Sequence, residues 1–263
     1  AILEENPWVA VESNIMASQV LMQAAAEHQA ERFVLVSTGQ AAEPDTVLAA
    51  SKRATEVLMQ SMSQNTTIYT CVRLGRTLSR YISMFQVQIE KNTPLRVPDP
   101  EMTCSTLSAS EVARLILQAM ALSQGGDIFV LNMQDQVRIA DLAREMIRLS
   151  GREPDEDITI QYTGLEFGEQ MSGWSPPGDE AEATQHPEIM VLRPESDPFD
   201  QNRTRRNRLV DLVAGLKHAA KTRDKAAIEA GLGNIVPEYT GSDTLTILQV
   251  KEKKQRLRLL KKK

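Results

Sequence analysis

Two hydroxyl residues and a lysine lie where a strand gives way to a helix. Ser37 and Thr38 follow the apolar run from Phe33 to Val36, which is typical of a buried strand, and Lys52 lies on the helix predicted after the next loop. A hydroxyl can donate and accept hydrogen bonds, and an ammonium group donates them. These groups could orient a substrate hydroxyl and hold a second ligand beside it.

The residues around this lysine limit the chemistry. Gly39 and Gln40 follow Thr38 directly, and neither has a side chain that can exchange a proton at neutral pH. Leu48 precedes Lys52 by four positions, so the two share one face of the predicted helix, yet leucine offers no hydroxyl. The stretch has the spacing of a catalytic site without an acid or a base at these positions.

The order of predicted elements indicates the fold class. Apolar periodicity predicts helices over 7–27, 47–63, 81–91, 108–122, 139–150, 206–220 and 225–231, and strands over 33–36, 67–73, 94–97, 128–131 and 158–162. Ser108 and Glu111 form a capping box at the start of one helix. The alternation predicts an α/β fold, with a partial Rossmann-like, mostly parallel sheet and helices on both faces. From 164 to 202, where Pro and Gly recur, regularity fades.

Charge and cysteine content exclude several classes of protein. Residues 153–200 hold 13 acidic residues against Arg193 alone, which argues against a nucleic-acid-binding face there. Cys71 and Cys104 do not make a disulfide framework and fit a reducing compartment. The three histidines show no metal-ligand spacing, so no metal site is predicted.

Eight segments resemble one enzyme family in their order and spacing. They are Glu4–Trp8, Glu31–Thr38, Ala50–Arg53, Val72–Gly75, Pro100–Thr103, Gly126–Leu131, Val137–Gly151 and Tyr162–Leu165. On these segments the chain resembles the polysaccharide-biosynthesis branch of the extended short-chain dehydrogenase/reductases, from about Glu4 to Thr240. This branch contains nucleotide-sugar 4,6-dehydratases and epimerases of the UDP-N-acetylglucosamine 4,6-dehydratase type. The resemblance implies NAD(P)-dependent chemistry on a UDP-sugar, with hydride abstraction at C4, loss of water or inversion, and hydride return.

The resemblance assigns catalytic roles residue by residue. Thr38 would polarise the sugar hydroxyl and Lys52 would orient the nicotinamide ribose, so these two are the candidate catalytic residues. The family's acid and base follow the threonine, where this chain has Gly39 and Gln40. The family's tyrosine, or the methionine that often replaces it in this branch, is matched by Leu48. Three positions of the family's catalytic set are therefore substituted in this chain.

The resemblance also implies binding residues. Cofactor binding is expected at Ser37, Lys52 and Arg73, and substrate binding at Gly75, Thr103 and Glu169. An arginine of the family that could contact the pyrophosphate or the substrate is matched by Cys104, and the family's Gly-Leu-Arg-Pro-Gly-Glu-Lys pattern is matched by Gly164–Gln170, which has lost both basic residues. A site built for a pyrophosphate dianion would be weakened by each change.

The phosphate-binding signature of a dinucleotide fold is missing from the sequence. No strand is followed by G-x-G-x-x-G at the start of a helix, and the acidic residue that would hold the ribose is also missing. We expect the chain to start inside the family's fold and to bind NAD(P) weakly or not at all. The predicted domains are an incomplete Rossmann-like NAD(P)-binding domain with interleaved substrate-subdomain segments over 1–150, a small C-terminal α/β substrate-binding subdomain over 151–240, and a basic tail over 241–263.

Two classes of function stay open. One is an NAD(P)-dependent dehydratase or epimerase with a divergent site. The other is a non-catalytic protein, either a degenerate or truncated member of the family or an interaction module that pairs an open sheet edge with a complementing chain. The partner could be such a complementing chain or a further copy of this chain in a homo-oligomer. Thr38 could equally cap a turn, and Lys52 could be a solvated helix lysine. Both residues therefore need a structural test.

Two structures are open for the basic tail. Leu245–Lys263 interleaves leucines with lysines and arginines, so it could be a solvated tail or a basic amphipathic helix on an anionic membrane surface. No apolar run approaches the ~18–20 residues needed to span a bilayer. The expected location is cytoplasmic, with membrane-peripheral contact confined to this tail.

Overall fold

A computed structural model describes residues 2–62, 66–133, 135–165, 169–172, 181–193, 203–239 and 241. The helices are α1 (Ile2–Glu5), α2 (Pro7–Ala10), α3 (Ala17–Glu27), α4 (Val47–Ser61), α5 (Ser79–Glu90), α6 (Ala109–Leu122), α7 (Ile139–Leu149), α8 (Arg203–Thr222) and α9 (Lys225–Ile235), with a π-helical segment at Val11–Met16 and a 3₁₀ turn at Gly39–Ala42. The strands are β1 (Arg32–Thr38), β2 (Ile68–Leu74), β3 (Leu95–Val97), β4 (Thr103–Ser105), β5 (Ile128–Leu131), β6 (Gln136–Arg138), β7 (Ile160–Tyr162), β8 (Glu182–Ala183) and β9 (Ile189–Leu192).

The chain divides into two compact units. Unit 1 consists of Ala1–Tyr69 and Pro194–Lys263, and unit 2 of Thr70–Arg193. Strand β2 begins in unit 1 and continues in unit 2. The domain boundaries predicted at residues 150 and 240 stay a prediction, and all of the tail after Gly241 lies outside the described residues.

Side-chain caps explain why the helices begin where they do. The Thr46 hydroxyl accepts a hydrogen bond from Ala49 N, 3.1 Å away, at the start of α4. At α6, Ser108 Oγ accepts from Glu111 N at 3.3 Å, and the Glu111 carboxylate accepts from Ser108 N at 2.7 Å. This reciprocal pair confirms the capping box predicted from the sequence.

The core of unit 1 forms around the start of β2. Ile68 N donates to Glu31 O at 2.9 Å and so places this part of β2 beside β1. The ring of Tyr69, which is fully buried, lies 5.7 Å from that of Phe33, and the Tyr69 hydroxyl donates to Met22 O at 2.8 Å. The hydroxyl of this buried tyrosine is thus satisfied by the backbone of α3.

The two C-terminal helices belong to unit 1. Helices α8 and α9 pack against each other, against α2, and against the π-helical segment and α4. Ile228 and Leu232 are fully buried on α9, and Asp224 caps that helix by accepting from Ala227 N at 3.0 Å. The helix that carries Lys52 is therefore covered on one side by a segment from the end of the chain.

Unit 2 contains the continuation of the sheet and two small sheets. Strand β2 pairs in parallel with β5, where Cys71 lies opposite Ile128, and β5 pairs antiparallel with β9, which in turn pairs with β8. Strands β3 and β7 form a parallel pair, and β4 pairs antiparallel with β6, where Cys104 lies opposite Val137. The short β4 strand is held next to the chain segment that follows β2, because Ser105 N donates to Arg76 O at 2.8 Å.

One apolar cluster supports the small sheets of unit 2. It joins α5, α7, β3 and β4 through Tyr81, Phe85, Ile89, Leu95, Val97, Met102, Cys104, Ile139, Ala140, Ala143, Ile147 and Ile158. Phe85 is fully buried near its centre. Cys104 belongs to this cluster, so its side chain is part of the core.

The predicted α/β, Rossmann-like fold class is confirmed, and most elements lie where the sequence places them. The main difference is the stretch from 164 to 202, in which β8 and β9 form. The apolar run Ile189–Leu192 matches β9, but its pairing with β5, which is distant in sequence, could not be predicted from local patterns. The short strands β4 and β6 were not predicted either. Within the described ranges, no helix is long and apolar enough to cross a membrane.

Candidate functional site

The hydroxyl pair sits at the end of β1 in unit 1. Thr38 is half-buried, and its Oγ1 accepts a hydrogen bond from Gln40 N at 3.3 Å, so Thr38 caps the 3₁₀ turn that starts at Gly39. The turn-cap interpretation of Thr38 is therefore realised in the structure. A threonine Oγ1 that accepts one bond can still donate its own proton, so this contact leaves the hydroxyl able to bind a ligand.

Ser37 is directed away from solvent. Its side chain is buried, and Oγ donates to Glu56 Oε1 at 2.7 Å. Glu56 is fully buried on α4, and its Oε2 accepts from Arg53 Nη1 at 3.1 Å. The hydroxyl of Ser37 is thus engaged inside unit 1, and its predicted cofactor contact stays a prediction.

Lys52 lies on the α4 face that the i, i+4 pattern predicted. Leu48, one turn earlier, is 37% exposed, so the substituted position opens to solvent and is not part of the core. Lys52 is half-buried, and among the described residues its ammonium group has no hydrogen-bond or ion-pair partner. An ammonium without an internal partner is available to a ligand or to water.

Asn14 is a site-proximal residue that the sequence analysis missed. It lies in the π-helical segment, and its Nδ2 donates to Ser51 Oγ at 2.8 Å. Ser51 precedes Lys52 directly, and its own hydroxyl donates to Leu48 O at 2.8 Å. Short π-helical segments occur often at functional sites. A lone amide side chain on an otherwise apolar helix face was the signal available in the sequence.

A second contact fixes the start of α4. Glu4 Oε1 accepts from Val47 N at 2.8 Å, and Glu4 Oε2 is buried without a hydrogen-bond partner among the described residues. Burial raises the pKa of the Glu4 carboxyl above its ordinary value, against smaller opposing effects from backbone hydrogen bonds and from Lys225. The carboxylate that caps α4 therefore carries a desolvation penalty.

We predict that Glu4→Gln stabilises the protein at neutral pH. A carboxyl whose folded pKa is raised contributes stability below its ordinary pKa of 4.5, and that stability is lost as pH rises through the folded value. Glutamine stays neutral and can still accept from Val47 N. The free energy of unfolding, measured in urea, should match wild type near pH 4 and exceed it at pH 7. The exposed neighbour Glu5→Gln is the control, and an equal difference at both pH values would contradict the prediction.

Unit 2 gathers three of the other predicted segments. Thr103 N donates to Met171 O at 2.9 Å, and the Thr103 hydroxyl donates to Gln136 Oε1. Arg76, which follows Gly75, donates from Nη1 to Gln170 O at 3.0 Å. The chain segments that carry Gly75, Thr103 and Glu169 therefore lie side by side, as a binding region would require.

Two predicted residues of unit 2 are less accessible. Arg73 is buried on β2, and Gly75 N donates to Met133 Sδ at 3.0 Å. Both positions support the end of β2, where the carboxyl ends of parallel strands commonly face a ligand. Their direct contact with a cofactor or a sugar stays a prediction.

Burial disfavours the reactive form of Cys104. The thiol is fully buried, and burial raises its pKa to about 11, with Arg76 acting in the opposite direction. The thiolate is the form that reacts or binds metals, so the packed, neutral thiol is favoured at neutral pH.

The comparisons with known proteins fit this arrangement. A family model described as polysaccharide biosynthesis protein matches residues 1–194. The chain belongs to this family. Capsular polysaccharide biosynthesis protein CapD from Staphylococcus aureus is 39% identical over 175 residues, which cover 65% of this chain and 29% of CapD. A UDP-glucose 4-epimerase from Rickettsia canadensis is 27% identical over 171 residues, covering 62% of this chain and 49% of the epimerase.

Solved structures share the fold of this chain. The X-ray structure of Pen from Bacillus thuringiensis has a TM-score of 0.63 and 27% identity, and covers 73% of this chain and 61% of Pen. Several structures below 25% identity share the fold alone, and some of these hold NAD or a UDP-sugar. This member of the polysaccharide biosynthesis protein family thus resembles nucleotide-sugar dehydratases and epimerases, as predicted. It spans less than a third of CapD and about half of the epimerase.

Proposed function

We propose that the chain is a catalytically degenerate member of the nucleotide-sugar dehydratases and epimerases. The observation that carries this proposal is the surroundings of Lys52. The ammonium and the Thr38 hydroxyl remain available, while Gly39 and Gln40 occupy the positions of the family's acid and base, and the solvent-facing Leu48 occupies that of its tyrosine or methionine. The groups that could bind a ligand are retained, and the acid and base positions are not.

The described residues fit the nicotinamide side of NAD(P). The half-buried Lys52, without an internal partner, can donate to ribose hydroxyls, and Thr38 can donate to a sugar oxygen. NAD(P), when bound, would supply the hydride acceptor and donor. The chain's own residues would then orient the sugar and the ribose. Residues 1–263 contain no G-x-G-x-x-G turn for the pyrophosphate, so we expect this segment by itself to bind NAD(P) weakly.

The substitutions at positions 39 and 40 argue against turnover. Dehydration needs one group to take a proton and another to protonate the leaving hydroxyl, and a positioned acid or base typically contributes ~10²–10⁴ in rate. Glycine and glutamine at positions 39 and 40 can do neither, and Leu48 cannot replace them. Two such losses together remove most of the acceleration that a family member needs.

A direct assay tests this proposal. The whole chain is incubated with NAD⁺ or NADP⁺ and with UDP-N-acetylglucosamine or UDP-glucose, and products are followed by proton NMR, with an active UDP-glucose 4-epimerase as positive control. We expect neither a 4-keto sugar nor a 4-epimer. Calorimetric titration with each ligand should give at most weak binding. Product formation would refute the proposal, and micromolar binding of both ligands would refute the expectation of weak binding.

Restoring the family residues alone should not restore activity. We predict that Gly39→Asp with Gln40→Lys yields no turnover in this segment by itself, because residues 1–263 contain no G-x-G-x-x-G turn to hold the pyrophosphate of the cofactor. The matched control is Gly39→Asn with Gln40→Met, which adds similar volume without titrating groups. The same NMR assay reports on both variants. Detectable dehydration by the restored variant, but not by its control, would show that the cofactor site is whole.

One observation favours a second candidate function. Strand β1 is an edge strand of the described sheet, and its Val36 is 45% exposed. An apolar edge strand can pair with a strand from another chain. If β1 pairs with another chain, its backbone amides should exchange with solvent more slowly when the protein concentration is raised or when a partner is added. Val36→Lys should abolish that slowing, and exchange rates independent of concentration and partner would exclude this function.

A further inference from the structure

The buried Glu56 carboxylate has no role in the chemistry derived so far. We propose that Glu56 is a positioning residue, which ties the end of β1 to α4 and thereby fixes Thr38 relative to Lys52. The inference rests on the proposed function only in taking Thr38 and Lys52 as the ligand-contacting pair. The geometry of the tie lies entirely within unit 1 and needs no ligand.

The two donors to this carboxylate are the direct neighbours of the two site residues. Ser37, which donates to Oε1 at 2.7 Å, precedes Thr38 in β1. Arg53, which donates to Oε2 at 3.1 Å, follows Lys52 in α4. One carboxylate group therefore bridges the strand end and the helix turn that present the candidate site.

Because Glu56 is buried, its hydrogen bonds tolerate little displacement of β1 relative to α4. Glu56 is fully buried, so a shift of β1 along α4 would leave a carboxylate oxygen without its hydrogen bond in a low-dielectric interior. Charge-assisted hydrogen bonds are also short and directional. An apolar side chain could fill the same space, but it would not select one register of the strand against the helix. The carboxylate is suited to positioning more than to packing.

A second hydrogen bond holds Ser51, the residue on the other side of Lys52. Asn14 donates to Ser51 Oγ at 2.8 Å and joins the π-helical segment to the same turn of α4. Ser51 and Arg53 flank the lysine, so hydrogen bonds fix the helix on both sides of it. Since the ammonium itself has no internal partner among the described residues, its position depends on these neighbours.

The test reads the surroundings of Lys52 without any ligand. Lysines of the whole chain are reductively methylated with ¹³C-formaldehyde, and the Lys52 dimethyl resonance is assigned from its loss in Lys52→Arg. We expect Ser37→Ala to shift this resonance, because the strand end loses its bond to Glu56. Ser37→Thr keeps a hydroxyl and should return the resonance to the wild-type position. Glu56→Leu should shift it further where that variant folds.

The control separates positioning from general stability. Tyr69→Phe removes a buried hydrogen bond to Met22 O elsewhere in unit 1, so it should lower the midpoint of urea unfolding without moving the Lys52 resonance. If Ser37→Ala leaves the resonance in place, or if Tyr69→Phe moves it as much, the proposal is overturned. Because no ligand is added, this outcome is independent of whether the chain binds NAD(P) or a UDP-sugar.

Discussion

Cys104→Arg, which restores the family's residue, is expected to destabilise the protein by about 3–5 kcal/mol. The thiol is fully buried in the apolar cluster, so a guanidinium there would have to displace packed side chains. Arg76 already acts electrostatically on this position, so the new group would meet a like charge as well as a desolvation penalty. The free energy of unfolding in urea at pH 7 measures the effect.

Two further variants separate the effect of burying a polar group from the effect of the like charge. Cys104→Val keeps the site apolar and of similar size, so it should cost less than about 1.5 kcal/mol. Combining Cys104→Arg with Arg76→Asn removes the like charge, and the double variant should lose less stability than the sum of the single changes. A stable Cys104→Arg protein, or strict additivity, would show that this position is open and not coupled to Arg76.

Phe85→Ala should cost about 3–5 kcal/mol. Phe85 is fully buried on α5, and its ring lies 6.0 Å from that of Tyr81 in the cluster that supports β3 and β4. Removing the ring leaves a cavity that the rigid surroundings fill only in part. The free energy of unfolding in urea again measures the effect, and near-ultraviolet circular dichroism follows the packing of the aromatic side chains of unit 2.

Val87 provides the matched control on the same helix. It is 46% exposed, so Val87→Ala should change the free energy of unfolding by no more than about 0.5 kcal/mol. A loss below about 1 kcal/mol for Phe85→Ala, or equal losses for both variants, would mean that this cluster does not carry the stability of unit 2. Thr103 lies on β4 above the cluster, so its placement depends on this core.

The sequence could predict features that depend on local spacing. The capping box at Ser108, the shared helix face of Leu48 and Lys52, and the strand that ends at Thr38 all follow from residue type and period, and the structure has each of them. These features need only neighbours within one element. For this reason the α/β class and the position of the hydroxyl pair were predictable before any coordinates.

The contacts that arrange the candidate site could not be predicted from local sequence patterns. Glu56 looks like an ordinary helix carboxylate in the sequence, and its burial depends on Ser37 from another element. Asn14 donates to a residue 37 positions away, and Cys104 joins a core assembled from α5 and α7. Such pairings form through tertiary packing, which overrides local propensity. The roles of the site residues depend on these long-range contacts.

The π-helical segment holds one residue more than a regular helix would use in the same turn. Because the wider turn takes up that extra residue, the chain on either side keeps its facing, and deleting one residue between Val11 and Met16 would let the segment close into a regular α-helix. The contacts made before it, from Glu4 to Val47 N and from Trp8 to the Arg223 guanidinium over its ring, should therefore survive the deletion. The contact that should be lost is the bond from Asn14 to Ser51, because Asn14 lies in the wide turn itself. The added residue thus serves one local contact and leaves the direction of the helix unchanged.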